Sequence, residues 1–355
     1  MRDIWDELTA WSDEGRDFAL ARVVETWGSS PRAVGSAMIV SDDTRVTGSV
    51  SGGCIESAVI ECAGEVMASG EAQYLNYGVD DKTAWSVGLS CGGEVSVFVE
   101  KHETGPAPVW DALRTAIANN EPCALLTIVG KPTTVGERTK PTSPASTDPS
   151  HLVVHADGST VGQWEAGLQA AAVEAGMAAH ARRQSDVVEM GGVRVFVHFI
   201  ARREQVLIIG AGHISVALVQ YARLLDLDTV VIEPRQVFAR QERFPVPPTQ
   251  LLPRWPQQVL ETWDVNEETY AVLLTHDPKI DDQALHALLR SPVAYIGALG
   301  SRRTHAKRCE RMREAGYTDI EISRIDGPIG LDIGADTPAE IAMSIAAKIV
   351  AIRRQ

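Results

Sequence analysis

The sequence predicts an α/β protein, with an N-terminal mixed α/β domain over residues 1–200 and a doubly wound parallel-sheet domain over residues 201–355. The second domain is indicated by a short, wholly apolar run at residues 206–209, which is typical of a strand buried on both faces. This run leads into a Gly-x-Gly turn, a helix and a second apolar strand at residues 229–232. Strand, turn, helix and strand in this order predict a Rossmann-like βαβ unit.

Composition and charge limit the classes of function. Of the 355 residues, 45% are hydrophobic and 23% are charged, as in an ordinary globular protein. The formal net charge of −14 argues against nonspecific nucleic-acid binding, which relies on positive charge. No apolar run reaches membrane-spanning length and the first residues lack a hydrophobic signal core, so we expect a cytoplasmic protein without a membrane partner. Five cysteines without framework spacing fit a reducing compartment.

The first domain is predicted from the periodicity of its apolar residues. The predicted helices cover residues 3–14, 110–118 and 163–181, besides one that Cys54 opens. The predicted strands cover residues 18–27, 37–41, 45–50, 72–77, 95–99, 122–129, 151–155, 187–189 and 193–199. Residues 131–150, rich in Pro, Ser and Thr, are predicted to be a flexible loop or an insertion.

A glycine-rich loop of this domain is the first candidate site. The run Gly48-Ser49-Val50-Ser51-Gly52-Gly53-Cys54-Ile55-Glu56 places a cysteine after two glycines, at the start of a predicted helix. The N–H groups of Gly52 and Gly53 attract anions, and the helix dipole favours the thiolate of Cys54. A second turn, Cys91-Gly92-Gly93, puts another thiol beside another glycine pair. The alternative is common turn chemistry around two small buried cysteines.

The other polar and thiol residues near this loop have simpler interpretations. Arg32 lies in a Gly/Ser/Pro loop at residues 28–35 and is a candidate to bind an anion beside Cys54, the alternative being a solvated loop arginine. Cys62 and Cys123 lie in apolar periodic runs, so both are predicted to be core residues.

The Gly-x-Gly turn of the second domain is the second candidate site. Gly210, Gly212 and His213 precede the helix, and Glu233 lies 21 positions after Gly212, where a ribose-binding acid belongs. Ser215 stands at the third glycine position of the dinucleotide fingerprint. The residues leave open whether a nucleotide or NAD(P) binds here, since such folds often keep the turn without the cofactor.

Two further strands are predicted for the same sheet, at residues 270–274 and 293–298. The first is followed by His276 and the second by Ser301 and Arg302. Both strand ends belong at the carboxyl edge of the sheet, where doubly wound folds bind ligands. A helix that Ser301 caps and that begins with arginines suits a phosphate, and the alternative is a solvated basic helix face.

The C-terminal segment combines a loop and a capped helix. Gly330-Leu331-Asp332-Ile333-Gly334 is glycine-rich and apolar, so we predict a loop packed against another surface. Thr337 and Glu340 form a capping-box pattern with Pro338 at the first helical position, which predicts a closing helix.

These motifs together resemble the XdhC/CoxI family, accessory proteins of xanthine dehydrogenase and carbon monoxide dehydrogenase. The similarity runs almost from end to end. The motifs that carry it are Gly28-Ser29-Ser30-Pro31-Arg32, Gly48 to Glu56, Cys91-Gly92-Gly93, Gly210-Ala211-Gly212-His213, Thr275-His276-Asp277, Gly300-Ser301-Arg302 and Gly330-Leu331-Asp332-Ile333-Gly334. The sequence departs from the expected pattern at Glu233, where an aspartate is expected, and at Lys348, where an acid is expected.

The resemblance implies a chaperone that binds molybdenum cofactor of the molybdopterin type, supports its sulfuration and inserts it into a molybdenum hydroxylase. By similarity, Cys54 and Cys91 hold the cofactor or its metal, and thiolates are suitably soft ligands. The implied partners are the apo molybdenum hydroxylase, a cysteine desulfurase, a cofactor-modifying nucleotidyltransferase and a second copy of the chain in a homodimer. Maturation is the expected role, and the residues indicate no set of catalytic groups.

Two alternatives remain open. One is an NAD(P)-dependent oxidoreductase that uses the Rossmann domain. His213 and His276 are the only candidates for its general acid or base. The other is a structural adaptor without a cofactor, in which both Cys54 and Cys91 are buried.

Overall fold

The computed structural model describes residues 1–28, 30, 32–77, 93–102, 107–130 and 151–354. Cys91, Gly92 and the segment 131–150 therefore lie outside the described residues, and so do the predictions made for them. The chain divides into two compact units, Met1–Arg202 and Arg203–Gln355. Within the described part, no helix is both long enough and apolar enough to span a bilayer.

The first unit contains two antiparallel sheets with helices packed on them. The strands are β1 (Phe18–Trp27), β2 (Ala37–Ser41), β3 (Val46–Gly48), β4 (Gln73–Tyr77), β5 (Glu94–Lys101), β6 (Cys123–Gly130), β7 (His151–His155), β8 (Thr160–Val161), β9 (Asp186–Met190) and β10 (Val193–Ile200). The helices are α1 (Trp5–Asp13), α2 (Glu56–Ser69), α3 (Pro108–Ala118) and α4 (Ala166–Arg182). In the described residues the strand orders are β3-β2-β1-β5-β4 and β8-β7-β6-β10-β9.

The predicted helices and strands of this unit are confirmed, with small shifts at their ends. Helix α2 differs in one respect that matters for the site, because it begins at Glu56 and not at Cys54. Gly52 and Gly53 have φ angles of 77° and 118°, which belong to the left-handed region that only glycine adopts easily. Cys54 consequently lies in the loop before the helix.

Both sheets bury apolar faces. Helix α2 covers one face of the first sheet through Val59, Ala63 and Val66. Cys62 and Cys123 are buried in these cores, which confirms the prediction made for them. A further core cluster joins residues of the first sheet, the second sheet, α1 and α3.

A buried ion pair links the two sheets of this unit. Arg22 on β1 is 0% exposed, and its Nη2 donates to Glu100 Oε1 on β5 at 2.6 Å and to Thr127 Oγ1 on β6 at 2.9 Å. His151 Nε2 lies 3.0 Å from the other Glu100 oxygen. Burial opposes ionisation of Glu100, but His151 and Arg22 outweigh it and lower the pKa of this carboxyl to about 2.

The second unit is a parallel sheet with helices on both faces. Its strands are β11 (Gln205–Ile209), β12 (Asp228–Ile232), β13 (Gln250–Leu252), β14 (Thr269–Leu273), β15 (Tyr295–Ala298) and β16 (Ile325–Asp326). Its helices are α5 (His213–Leu224), α6 (Pro256–Leu260), α7 (Pro278–Leu288), α8 (Arg302–Glu314), α9 (Asp319–Ser323) and α10 (Pro338–Arg353). The strand order in the described residues is β13-β12-β11-β14-β15-β16, with every pair parallel.

This topology confirms the Rossmann-like prediction and defines where ligands bind in such sheets. Strand β11 has β12 on one side and β14 on the other, so the direction of winding reverses beside it. The crevice at the carboxyl ends of the strands beside this point is the usual ligand position of doubly wound folds. The Gly-x-Gly turn follows β11 and therefore lies at this position.

The C-terminal helix follows the prediction, whereas the apolar side chains of the loop before it are exposed. Thr337 caps α10 by accepting from the Glu340 N–H, and Glu340 accepts from the Thr337 N–H in return. The backbone of this loop contacts the helix, because Leu331 N–H donates to Ser344 O at 3.2 Å, but the side chains of Leu331 and Ile333 are 39% and 51% exposed and are not packed against another surface of the described structure. A Cβ at position 330 would lie 2.4 Å from Ser344 Oγ, so only a glycine at this position lets the loop come this close to the helix.

Because Arg22 and Glu100 form a buried ion pair, we predict a large loss of stability when the arginine is replaced. Arg22→Met keeps most of the side-chain volume but leaves Glu100 buried without its guanidinium partner. We expect the free energy of unfolding to fall by about 3–5 kcal/mol in urea titrations, because an unpaired buried charge is costly. Arg16→Met is the control, since Arg16 pairs with Glu14 and Asp43 at the surface and should cost at most about 1 kcal/mol. Equal losses in both variants would contradict this prediction.

Candidate functional sites

The loop before α2 is organised around the carboxylate of Glu56. This carboxylate accepts the N–H groups of Ser51 at 2.9 Å, Gly52 at 3.0 Å and Gly53 at 2.8 Å. It also accepts the hydroxyl of Ser49 at 2.7 Å. A glutamate at the first helical position thus closes the whole turn in the way that a capping side chain closes a helix end.

This geometry changes the role of the glycine backbone. The N–H groups of Gly52 and Gly53, predicted to hold an anion, donate to Glu56, so the position of an external anion is taken by the chain's own carboxylate. Burial opposes ionisation of Glu56, but hydrogen bonds from Ser51, Ser49 and the backbone outweigh it and lower its pKa to about 2. The acid two residues after Cys54 was the signal for this arrangement in the sequence.

Cys54 is held in place by the same loop. Its N–H donates to Ser51 Oγ at 3.0 Å, and its side chain is half-buried against the core beneath α2. Burial raises the pKa of Cys62 to about 11 and that of Cys123 to about 12. Their thiols stay protonated at neutral pH. Cys62 and Cys123 are buried whereas Cys54 is half-buried, so Cys54 is the most exposed of the described thiols of the first unit.

Arg32 lies beside this loop, as predicted, and is already engaged within the protein. Its Nε donates to Ser49 O at 3.1 Å, and its Nη2 donates to Asp3 Oδ2 at 2.9 Å. The guanidinium thus ties the start of the loop to the N-terminal turn, and about a third of the side chain, 34%, remains exposed. Gly93 is buried directly before β5. Cys91 and Gly92, which precede it in the sequence, lie outside the described residues, so the role that the resemblance gives to Cys91 stays a prediction.

The turn after β11 is tightly constrained. Gly210 has a φ of 105°, and a Cβ there would lie 2.7 Å from Thr275 Cγ2, so both backbone and space require glycine. Gly212 is the N-cap of α5 with open space where a Cβ would lie, and His213 begins the helix exposed. Ser215, at the third glycine position, is buried and donates its hydroxyl to Gly210 O at 2.7 Å. The departure from the fingerprint thus adds a hydrogen bond that holds the turn.

Glu233 lies at the end of β12 as predicted, but its acceptors are used within the protein. Its side chain is 0% exposed and accepts the Ala211 N–H at 3.0 Å, which belongs to the turn after β11. It also accepts the backbone N–H, Nε and Nη2 of Arg235, at 2.9, 2.8 and 2.8 Å. Burial opposes ionisation of Glu233, but these hydrogen bonds outweigh it and lower its pKa. The residue that faces solvent here is Arg235, for which the sequence offers no signal beyond its position two residues after Glu233.

A buried network joins the loops after β14 and β15. Thr275 Oγ1 donates to Asp281 on α7 at 2.5 Å, and Arg308 Nη2 on α8 donates to Leu299 O at 2.8 Å. Arg308 also lies 3.5 Å from the other Asp281 oxygen. A solvated basic face was left open as an alternative for this helix, whereas the side chain of Arg308 is buried and holds two loops of the sheet edge together.

The remaining predicted residues of this unit lie on those loops. His276 is exposed after β14, and Ser301 and Arg302 are exposed after β15. Ser301 caps α8 by accepting the Thr304 N–H at 3.2 Å, which confirms its predicted capping role. Because β11, β14 and β15 are consecutive neighbours, these residues follow strand ends on one edge of the sheet. In the described ranges, no group of three or more His, Cys, Asp or Glu side chains is arranged to hold a metal ion.

Comparison with known families gives two matches that cover different parts of the chain. Residues 206–349 match the family model described as the XdhC Rossmann domain. Residues 11–78 match the model of the XdhC and CoxI family, and this range contains the loop of Cys54 and Glu56.

Three curated relatives span nearly the whole chain. A probable xanthine dehydrogenase subunit of Bacillus subtilis (strain 168) is 25% identical over 98% of this chain and 97% of its own length. The molybdenum cofactor insertion chaperone PaoD of Escherichia coli (strain K12) is 24% identical over 96% of this chain and 84% of its own. The uncharacterized protein YqeB of the same bacterium is 30% identical over 99% of this chain, which spans only 46% of that longer protein.

A solved structure shares the fold over the full length of this chain. The crystal structure of a xanthine dehydrogenase from Bacillus halodurans matches with a TM-score of 0.75 and 23% sequence identity. The match covers 100% of this chain and 96% of the other. At this identity the likeness establishes the architecture of the chain.

The Glu56 turn predicts a pH-dependent contribution to stability. The pKa of Glu56 lies well below its ordinary 4.5, so its contribution is fully present above about pH 4.5 and is lost as the pH falls towards 2. We expect Glu56→Gln to lower the free energy of unfolding by about 1–3 kcal/mol at neutral pH, with a smaller difference near pH 3. Glu61→Gln, an exposed acid on the same helix, is the matched control. A pH-independent difference would contradict the assignment.

The raised pKa of Asp281 predicts that stability changes with pH in the opposite direction to the change predicted for Glu56. Burial raises the pKa of Asp281 to about 6, although Thr275 and Arg308 partly oppose this. The folded state therefore keeps a proton that the unfolded chain loses above its ordinary pKa of 3.8, so this stabilisation weakens as the pH rises towards 6. We expect Asp281→Asn to remove that slope in denaturant titrations between about pH 4 and 7, and the exposed Asp319→Asn to keep it. An unchanged slope in Asp281→Asn would exclude this source.

Proposed function

Since the chain belongs to the XdhC and CoxI family, we propose that it is a molybdenum cofactor chaperone that matures a molybdenum hydroxylase of the xanthine dehydrogenase type. The names of two relatives support this role, one being a molybdenum cofactor insertion chaperone and the other a probable xanthine dehydrogenase subunit. The cofactor is the cargo in this proposal, held until it is passed to the apoenzyme.

The observation that carries the site proposal is the half-buried thiol of Cys54 on a loop that Glu56 holds rigidly. A soft thiolate is suited to molybdenum or to its sulfur ligand. A loop ordered before binding also loses little conformational entropy when the cargo arrives. Cys91, the second thiol that the family pattern indicates, is proposed as its partner in this contact.

The structure also limits which groups take part. The glycine N–H groups of the loop are bonded to Glu56, so we assign the contact to the side chain of Cys54 and not to the backbone of Gly52 and Gly53. The exposed third of Arg32 provides positive charge beside the loop for the anionic cargo. In this arrangement the Cys54 thiol contacts the metal, while the glycine N–H groups of the loop stay bonded to Glu56.

The wider role includes sulfuration of the cofactor before insertion, with a cysteine desulfurase as the sulfur source. We further propose that a cofactor-modifying nucleotidyltransferase and the apo hydroxylase interact with this chain, and that it works as a homodimer in the cytoplasm. These partners follow from the family resemblance and are each testable by copurification.

Cofactor retention by cysteine variants tests the proposal. The purified chain is incubated with molybdenum cofactor released from a molybdenum hydroxylase, and molybdenum and pterin are measured after gel filtration. We expect Cys54→Ala to retain at least about tenfold less cofactor than the native chain, which corresponds to the loss of roughly 1.4 kcal/mol of binding free energy. Cys91→Ala is expected to be equally defective.

Cys309→Ala is the matched control, because Cys309 is a half-buried thiol of the second unit. It should retain cofactor like the native chain. Unchanged retention in the Cys54→Ala, Cys91→Ala double variant would exclude the thiol contact, and no retention by the native chain would exclude the chaperone role.

A further inference from the structure

Glu233 stands at the position of the acid that binds the ribose in many Rossmann folds, but its hydrogen-bond acceptor positions are all used within the protein. A carboxylate offers about four acceptor positions. In Glu233 these are used by the Ala211 N–H and by three N–H groups of Arg235. The side chain is also 0% exposed, so a ribose hydroxyl at this edge does not meet a free carboxylate.

Arg235 is the group that this arrangement presents to solvent. Two of its five guanidinium N–H donors bond to Glu233, and 45% of its side chain is exposed at the end of β12. The bidentate contact fixes the orientation of the guanidinium plane without burying it. The contact with Glu233 is the main cause that raises the pKa of Arg235, and the charge of Asp277, after β14, adds to it.

An aromatic ring and a second arginine extend the site. The Arg235 guanidinium lies 4.6 Å from the centroid of the Phe238 ring, and that of Arg243 lies 4.9 Å from the same centroid. Phe238 is itself partly exposed, at 36%. The Phe238 ring thus carries two guanidinium groups, of which that of Arg235 bonds to Glu233 and is also influenced by the charge of Asp277.

We propose that the edge of β12 binds a nucleotide that carries a phosphate monoester on its ribose, as NADP does, with Arg235 and Arg243 contacting that phosphate and Phe238 packing near the base. In dinucleotide-binding folds a free acid after the second strand accepts from the ribose 2′-hydroxyl, whereas an arginine there accommodates a 2′-phosphate. Arginine also forms bidentate contacts with phosphate oxygens, and its planar face stacks on flat rings.

The turn after β11 offers a place for the rest of the nucleotide. Gly212 leaves open space at the N-cap of α5, beside the Ala211 N–H that Glu233 fixes. The diphosphate of a dinucleotide binds at such a helix start in related folds. The selection between nucleotides is then made at Arg235, which lies at the ribose position.

Calorimetric titration of the full chain with NADP⁺ and NAD⁺ tests the inference, and adenosine 2′-monophosphate against adenosine 5′-monophosphate separates the phosphate from the rest of the ligand. We expect the 2′-phosphorylated member of each pair to bind at least about tenfold more tightly, as for a charge-assisted contact. Arg235→Ala should remove this preference. Its NAD⁺ affinity should hold or rise, because the Glu233 carboxylate is then free to accept from a ribose hydroxyl.

Arg240→Ala is the matched control, since Arg240 is an exposed arginine of the same loop and its removal changes the net charge equally. Arg243→Ala, which leaves the Glu233 contacts intact, should weaken only the 2′-phosphorylated ligands. The inference is overturned by equal affinity for both members of a pair, by no measurable binding of either, or by equal losses in Arg235→Ala and Arg240→Ala. These titrations contain no molybdenum cofactor, so their failure leaves the role of Cys54 unaffected.

Discussion

Backbone N–H groups at a tight glycine-rich turn need acceptors, and in both units the chain supplies them with one of its own glutamates. Glu56 closes the loop before α2, and Glu233 bonds to the turn after β11. In each case the carboxylate stands where an external anion or a ribose is otherwise expected. An internal carboxylate orders the turn before any ligand arrives, which lowers the entropic cost of binding but removes the backbone from direct recognition.

We propose that the main contact at each turn is consequently made by a side chain beside it. In the first unit this side chain is Cys54, whose soft thiol differs chemically from the hard N–H donors that Glu56 satisfies. In the second unit it is Arg235, which the glutamate both orients and partly neutralises. The two sites therefore suit different ligand chemistry, a soft metal centre in one and a phosphorylated ribose in the other, although they are built on the same principle.

The scaffolds that hold these turns were largely predictable. The apolar runs of β11, β12, β14 and β15 and the capping residues Ser301 and Thr337 are local signals, and the structure confirms them. Short strands such as β8 and β13 were not predicted, because two or three residues carry no periodicity and depend on their neighbours for pairing. The burial of Arg308 on α8 was not predicted, since a sequence shows charge spacing but not which face of a helix packs inward.

The sequence by itself determined the α/β class, the Rossmann-like order of strands, the core position of Cys62 and Cys123 and the two glycine-rich turns, because these follow from local periodicity and turn chemistry. Only the tertiary structure decided which groups at those turns are free. Hydrogen-bond acceptors are allocated by distances in space, and Glu56 and Glu233 use theirs within the fold. For the same reason the exposed arginine of the β12 edge became visible only once the contacts of its glutamate partner were known.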